Sequence, residues 1–178
     1  MLRFLQIIIV SIVLAGCAFK PSIDDAKLSD KTFELEKFFD GKVKAYGQFQ
    51  DVLGNVSRRF VVDIDGSWDG EALTLVENFT YSDDTTEQRI WTLAKGDDDT
   101  WTGDAKGVIG EAKGQIEGDT FYWAYKIDLP LPDGEMRVSF DDYMWLLDDD
   151  RVLNIAYMSK WGFPLGQVTI MFEKLQLD

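Results

Sequence analysis

Apolar and polar residues alternate through most of this chain from Val43 onward. Stretches of alternating or β-branched residues predict strands over 43–50, 56–65, 71–81, 86–95, 99–106, 108–117, 119–128, 135–147, 151–161 and 166–175. Short Gly, Asp and Asn clusters separate them, such as Gly54-Asn55, Asp83-Asp84, Gly118-Asp119 and Asp133-Gly134. Short turns make successive strands antiparallel neighbours. No helical pattern is long enough for a βαβ crossover. One helix is predicted ahead of the strands, over Thr32 to Phe39, capped by Asp30 and stopped by Asp40-Gly41. The fold class is therefore all-β: an antiparallel up-and-down β-barrel of about 8–10 strands, lipocalin-like, with one short N-terminal helix. A β-sandwich is the alternative. Closure removes exposed strand edges and favours the barrel.

Residues two apart on a strand share a face. Leu73, Leu75, Glu77, Phe79 and Tyr81 share one; so do Glu87, Arg89, Trp91 and Leu93. Phe121, Trp123, Tyr125 and Ile127 form a third set, and Met136, Val138, Phe140, Asp142 and Met144 a fourth. Asn154, Ala156, Met158 and Lys160 form a fifth. Glu77, Arg89 and Asp142, with Lys160 as a fourth member, thus fall on the apolar, inward parity. Charges there are costly unless paired. Two readings follow. One is a polar recognition point in a cavity walled by Tyr81, Trp91, Trp123 and Tyr125. The other is a satisfied internal salt bridge in a filled barrel, or a bulge that turns the charges outward.

The N-terminus departs from the alternation. Arg3 precedes an apolar run from Leu5 to Leu14, broken by Gln6 and Ser11, and Ala15 and Gly16 lead to Cys17. This is the layout of a secretory signal, and the run is well short of the roughly 20 residues a spanning helix needs. Leu14-Ala15-Gly16-Cys17 resembles the lipobox of bacterial lipoproteins at all four positions. The resemblance implies cleavage before Cys17 and acylation of its thiol. Ala18, where Asp would favour inner-membrane retention, implies a lipid-anchored place on the periplasmic face of the outer membrane. The expected organisation is a signal peptide over 1–16, a lipidated polar tether over 17–30 and a single barrel domain over 31–178.

Charge and composition narrow the function. The net charge of −14 disfavours nucleic acid and attraction to anionic headgroups. With one Cys, no internal disulfide forms, and with no His, imidazole bases and imidazole metal sites are removed. No catalytic residue, metal site or cofactor is assigned, and no enzyme is expected. The acidic runs Asp97 to Asp99 and Asp148 to Asp150 read as turn chemistry.

Phe38-Phe39-Asp40-Gly41, Arg58-Arg59-Phe60, Leu75-Val76-Glu77-Asn78-Phe79, Arg89-Ile90-Trp91, Gly107-Val108-Ile109-Gly110, Asp141-Asp142 and Met158-Ser159-Lys160-Trp161-Gly162 stand in a recognisable order. Together they resemble an uncharacterised family of Gram-negative lipoproteins, classed as a domain of unknown function. The resemblance implies a gene that tends to lie near genes for cyclopropane-fatty-acid-synthase-like methyltransferases, an association that tilts the expected ligand towards a fatty acid or lipid. Arg89 or Lys160 would then meet its carboxylate. The competing expectation is a filled barrel that docks to another envelope component. A void of ligand size separates the two.

Overall fold

The computed structural model describes residues 20–131 and 133–176. One helical turn, α1 (Leu35–Phe39), precedes ten strands: β1 (Gly41–Asp51), β2 (Val56–Trp68), β3 (Ala72–Tyr81), β4 (Thr86–Lys95), β5 (Thr100–Ala105), β6 (Ala112–Glu117), β7 (Thr120–Leu131), β8 (Gly134–Leu146), β9 (Arg151–Lys160) and β10 (Phe163–Lys174). Each strand pairs antiparallel with its sequence neighbours, and β1 pairs with β10, closing the barrel. The alternation thus produces the up-and-down barrel rather than the sandwich.

The alternation sorts the two faces. Val43, Ala45, Val62, Ile64, Leu73 and Leu93 are buried inside. Between them on β1 and β2, Lys44 and Asp63 meet at 3.1 Å on the outer face, and Lys42 pairs with Asp65 beside them. Among the described residues no helix is long and apolar enough to cross a membrane.

The helix is shorter than its sequence pattern predicts, and Asp30 does not cap it. Glu34 occupies the cap position without a side-chain hydrogen bond. Phe33 is held in an extended approach, its backbone N–H donating to the Gly118 carbonyl at 2.8 Å. The apolar residues Phe33, Leu35, Phe38 and Phe39 are all buried. They plug one end of the barrel, and Phe39 packs edge-on against Phe172 of β10 at 5.5 Å between ring centroids. The turns β1–β2, β3–β4, β5–β6, β7–β8 and β9–β10 lie at the opposite end, which has no helix across it.

Strand β6 starts at Ala112 instead of 108. Gly107 and Gly110 both take positive φ, which turns the backbone out of the ladder and leaves Val108 a single bridge to Ile127.

From Lys20 the expected tether is not free of the barrel. The Leu28 N–H donates to Asp119 Oδ2 at 2.7 Å, Lys27 reaches Thr120 Oγ1 at 3.2 Å, and Lys20 pairs with Asp141. Asp119 and Thr120 lie at the plugged end, whereas Asp141 sits midway along β8. Read from Leu28 back to Lys20, the chain therefore climbs the outside of the barrel towards the other end. Beneath this climb lies an external aromatic strip: Tyr143 stacks on Trp145 and meets Tyr157 edge-on. A polar composition suggests a standoff spacer, but the outward Asp141 and the carboxylate of Asp119 give its N–H and ammonium groups partners on the sheet. Cys17, Ala18 and the apolar leader lie outside the described residues.

Candidate functional site

Strands β2 to β4 and β7 to β10, with Leu35 and Phe39 as a floor, enclose a cavity of about 200 Å³. Its size follows from packing. Big aromatics on β4, β7 and β8 face the interior and lean on one another rather than filling the middle. Trp91 packs edge-on against Trp123 at 5.8 Å and Tyr125 at 5.2 Å, and Tyr125 stacks on Phe140 at 5.2 Å. The Trp123 ring needs room against the wall. At Gly114 a Cβ would meet the Trp123 and Phe121 rings at 2.6 Å, and at Gly103 it would meet Trp123 at 2.8 Å. These two glycines let the indole lie flat on β5 and β6, which keeps it out of the lumen.

Three ionisable groups face this apolar space. Glu77 and Arg89 stand directly opposite on β3 and β4, while Asp142 projects from β8 on the far wall. Glu77 and Arg89 keep part of their surface because they border the void, yet protein surrounds them. Asp142 is 6% exposed, and its Oδ1 has no hydrogen-bond partner. Burial pushes the Glu77 carboxyl up to about 7, with Arg89 pulling it down and Glu87 adding to the rise. Burial pushes Asp142 further, to about 8, with Asp141 adding and Arg89 opposing. Among the described lining residues Arg89 is the one cation, facing more acids than it can pair.

Arg89 makes its ion pair with Glu87 rather than with Glu77. Its Nη2 lies 2.9 Å from Glu87 Oε1, and Tyr81 donates its hydroxyl to Glu87 Oε2 at 2.7 Å. Cross-strand register puts Glu77 opposite Arg89, but Glu87, two residues along on the same face, takes the guanidinium. Although burial works against it, the Tyr81 hydrogen bond and the Arg89 charge hold the Glu87 carboxyl below its ordinary value. Arg89 is held charged despite burial, chiefly by Glu77. Burial, with Asp142 adding, raises Tyr125 well above a normal phenol, so it stays a neutral donor.

Of the residues proposed from sequence, Glu77, Tyr81, Arg89, Trp91, Trp123, Tyr125 and Asp142 all line the cavity. Lys160 does not. It ends β9 at the unplugged rim, where its Nζ lies 4.9 Å from the Trp161 ring centroid. Strand parity assigns it the inward face, but the strand finishes there and a long side chain turns towards water. Two residues were missed. Glu87 was on the same parity set and only its distance to Arg89 distinguishes it. Asn154 lines the cavity 1% exposed, with Nδ2 donating to the Tyr143 carbonyl at 3.2 Å and Oδ1 unpartnered. Its signal was one amide within an otherwise apolar alternation. No group of three or more His, Cys, Asp or Glu among the described residues is placed to hold a metal ion. Asp98 and Asp99 take positive φ in the β4–β5 turn.

A family model described as "Protein of unknown function (DUF3833)" matches residues 11–174. No curated protein matches the chain. Among solved structures, the S-type phycobiliprotein lyase CPES from Guillardia theta has a similar fold, with a TM-score of 0.61 at 10% identity over 82% of this chain and 93% of that one. The likeness supports a lipocalin-like barrel.

Proposed function

This chain belongs to the DUF3833 family, and we propose that it is a lipid-anchored periplasmic binding protein of the outer membrane that holds an apolar ligand with a polar end in its barrel. The observation that carries this reading is the void itself: an aromatic cavity with Arg89, Glu77 and Asp142 in its wall. A filled barrel would have supported the docking alternative. The ligand class favoured is a fatty acid or related lipid, its carboxylate meeting Arg89 and its chain lying against Trp91, Trp123, Phe140 and Ile170.

Size limits how such a ligand sits. A dry cavity of about 150 Å³ holds a benzene ring, so a cavity of about 200 Å³ holds only a headgroup and the first part of a chain. The rest of a long acyl chain would lie in the mouth, beside Leu129 and Val168. Charge sets a second condition. At neutral pH Asp142 is largely protonated and Glu77 partly so, which leaves Glu87 as the carboxylate that an incoming anion must share Arg89 with or displace. Each carboxylate that ionises opposes it.

The role is binding rather than catalysis. The chain offers no imidazole and its one thiol is the expected lipid attachment point. The lyase named above shares a fold, and a fold does not carry chemistry at this identity.

Native mass spectrometry after gentle purification, with titration of a fluorescent fatty acid, tests the proposal. The expected results are co-purified lipid, affinity that falls between about pH 6 and pH 9, and about a tenfold or greater loss in Arg89→Met, the loss of a charged hydrogen bond. Lys160→Ala should bind like the wild type. A protein that never carries lipid and takes up no probe would remove the carrier role.

A further inference from the structure

The rim of the unplugged end carries apolar side chains where turns are ordinarily polar. Trp161 is 87% exposed, Leu53 83%, Phe163 72% and Val52 60%, and Leu131 is exposed as well. They come from the β1–β2, β9–β10 and β7–β8 turns. Since β1 pairs with β10, β10 with β9 and β9 with β8, these turns are neighbours along one arc of the rim. The acidic β3–β4 turn, with Asp83 and Asp84, lies outside the arc.

The turn at the centre of the arc is built at a conformational cost. Trp161 and Gly162 both take positive φ, +53° and +84°. Two-residue hairpin turns of this hand favour Asn-Gly, and a bulky aromatic at the first position is an outlier. Nothing inside the barrel compensates, because the ring points into solvent. Strain kept at an exposed site motivates a functional reading. Lys160 lies beside the ring and is long enough to keep its ammonium in water while the indole is not.

We propose that this arc of the rim inserts into the surface of a zwitterionic lipid bilayer, so that the cavity mouth opens onto the membrane. Three observations favour a bilayer over a protein partner. The apolar residues are single projecting tips rather than a groove or flat face, and an indole with a neighbouring Lys is the pairing found at membrane interfaces. Beneath the arc, Ile127, Val138, Phe140, Ala156 and Met158 form a buried apolar cluster with Leu129 and Val168 packed against it, and these last two also line the cavity. The chain from Leu28 to Lys20 climbs towards this end, and the expected lipid attachment point, Cys17, precedes Lys20 by three residues in the sequence. A body of charge −14 without a basic cluster on the arc selects a zwitterionic surface over an anionic one. Direct loading of the cavity from the bilayer rests on the binding role proposed above, whereas rim insertion does not.

The test uses the full chain in phosphatidylcholine vesicles containing brominated lipid. Subtracting the emission of Trp161→Asn from that of the wild type isolates Trp161. That variant relieves the turn and should melt no lower than the wild type, so a folding failure does not confuse the result. A Trp placed by Lys37→Trp in the Trp161→Asn chain reports the plugged end. The expected outcome is loss of most Trp161 emission to the bromine atoms, independent of added salt, with the Trp at 37 unquenched. Trp161 emission untouched by brominated lipid would overturn the proposal, as would equal quenching at both ends. A lipid-free blue shift that grows with protein concentration would instead assign the arc to a second copy of the chain. Failure of fatty-acid uptake with Trp161 still quenched would refute only the carrier role.

Discussion

Replacing Asp142 with Asn removes one of two buried carboxyls that the fold keeps protonated. Its ordinary value is 3.8 and burial moves it to about 8. Between those values the folded chain holds a proton that the unfolded chain has released. Stability therefore falls as pH rises through that window, with a slope of about 1.4 kcal/mol per pH unit for one proton. Glu77, raised from 4.5 to about 7, contributes a second proton, so the wild-type slope between about pH 5 and pH 6.5 is roughly 2.7 kcal/mol per unit. Carboxyls held below their ordinary values, such as those of Asp51, Asp69 and Asp128, act with the opposite sign, but only below about pH 4.5. The window above pH 5 thus isolates the cavity acids. Asp142→Asn should halve the slope and leave the variant more stable than the wild type at about pH 7, by a few kcal/mol. Urea denaturation followed by tryptophan fluorescence, at constant ionic strength and several pH values, measures both. An unchanged slope, or a variant less stable than the wild type at neutral pH, would refute the assignment of a buried, proton-holding Asp142.

Two further perturbations probe the wall around it. Glu87→Gln should release the Arg89 guanidinium from its ion pair; fatty-acid affinity should then rise in fluorescence titration, while stability falls by about 1 kcal/mol, the value of a half-exposed pair. Weaker binding would mean that Glu87 orients Arg89 rather than competing for it. Gly114→Ala should destabilise by about 1–3 kcal/mol, because its Cβ would collide with Phe121, Trp123 and the Tyr122 carbonyl. A matching change in near-ultraviolet circular dichroism would show that the Trp123 ring has been displaced.

The barrel was legible because each strand carries its own two-residue period and each turn its own Gly, Asp or Asn. Ten segments of alternating parity with short connections leave few topologies. The inward placement of Glu77, Arg89 and Asp142 followed from the same period, since parity needs no tertiary information. Pairing did need it: Arg89 could reach Glu77 across the ladder or Glu87 along the strand, and only side-chain geometry chose Glu87. Lys160 shows the limit of parity at a strand's last residue, where the face is no longer enclosed. The helix was over-extended because Phe33 and Leu35 carry the same burial signal whether they sit on a helix face or in a plug. The polar segment after Lys20 looked like a spacer because its partners, Asp119 and Asp141, are distant in sequence.

The ladder between β1 and β10 sets the order of events in folding. Every other pairing joins neighbouring hairpin arms, but Val43 meets Lys174 and Leu175 donates to the Lys42 carbonyl at 2.8 Å only across almost the whole domain. Local hairpins form early and this long closure late. Until the last strand arrives the molecule is an open curl with two unsatisfied edges, and its cavity has no far wall between β9 and β1. A chain emerging from its N-terminus would therefore acquire its lumen in the final step, once β10 is free to pair with β1.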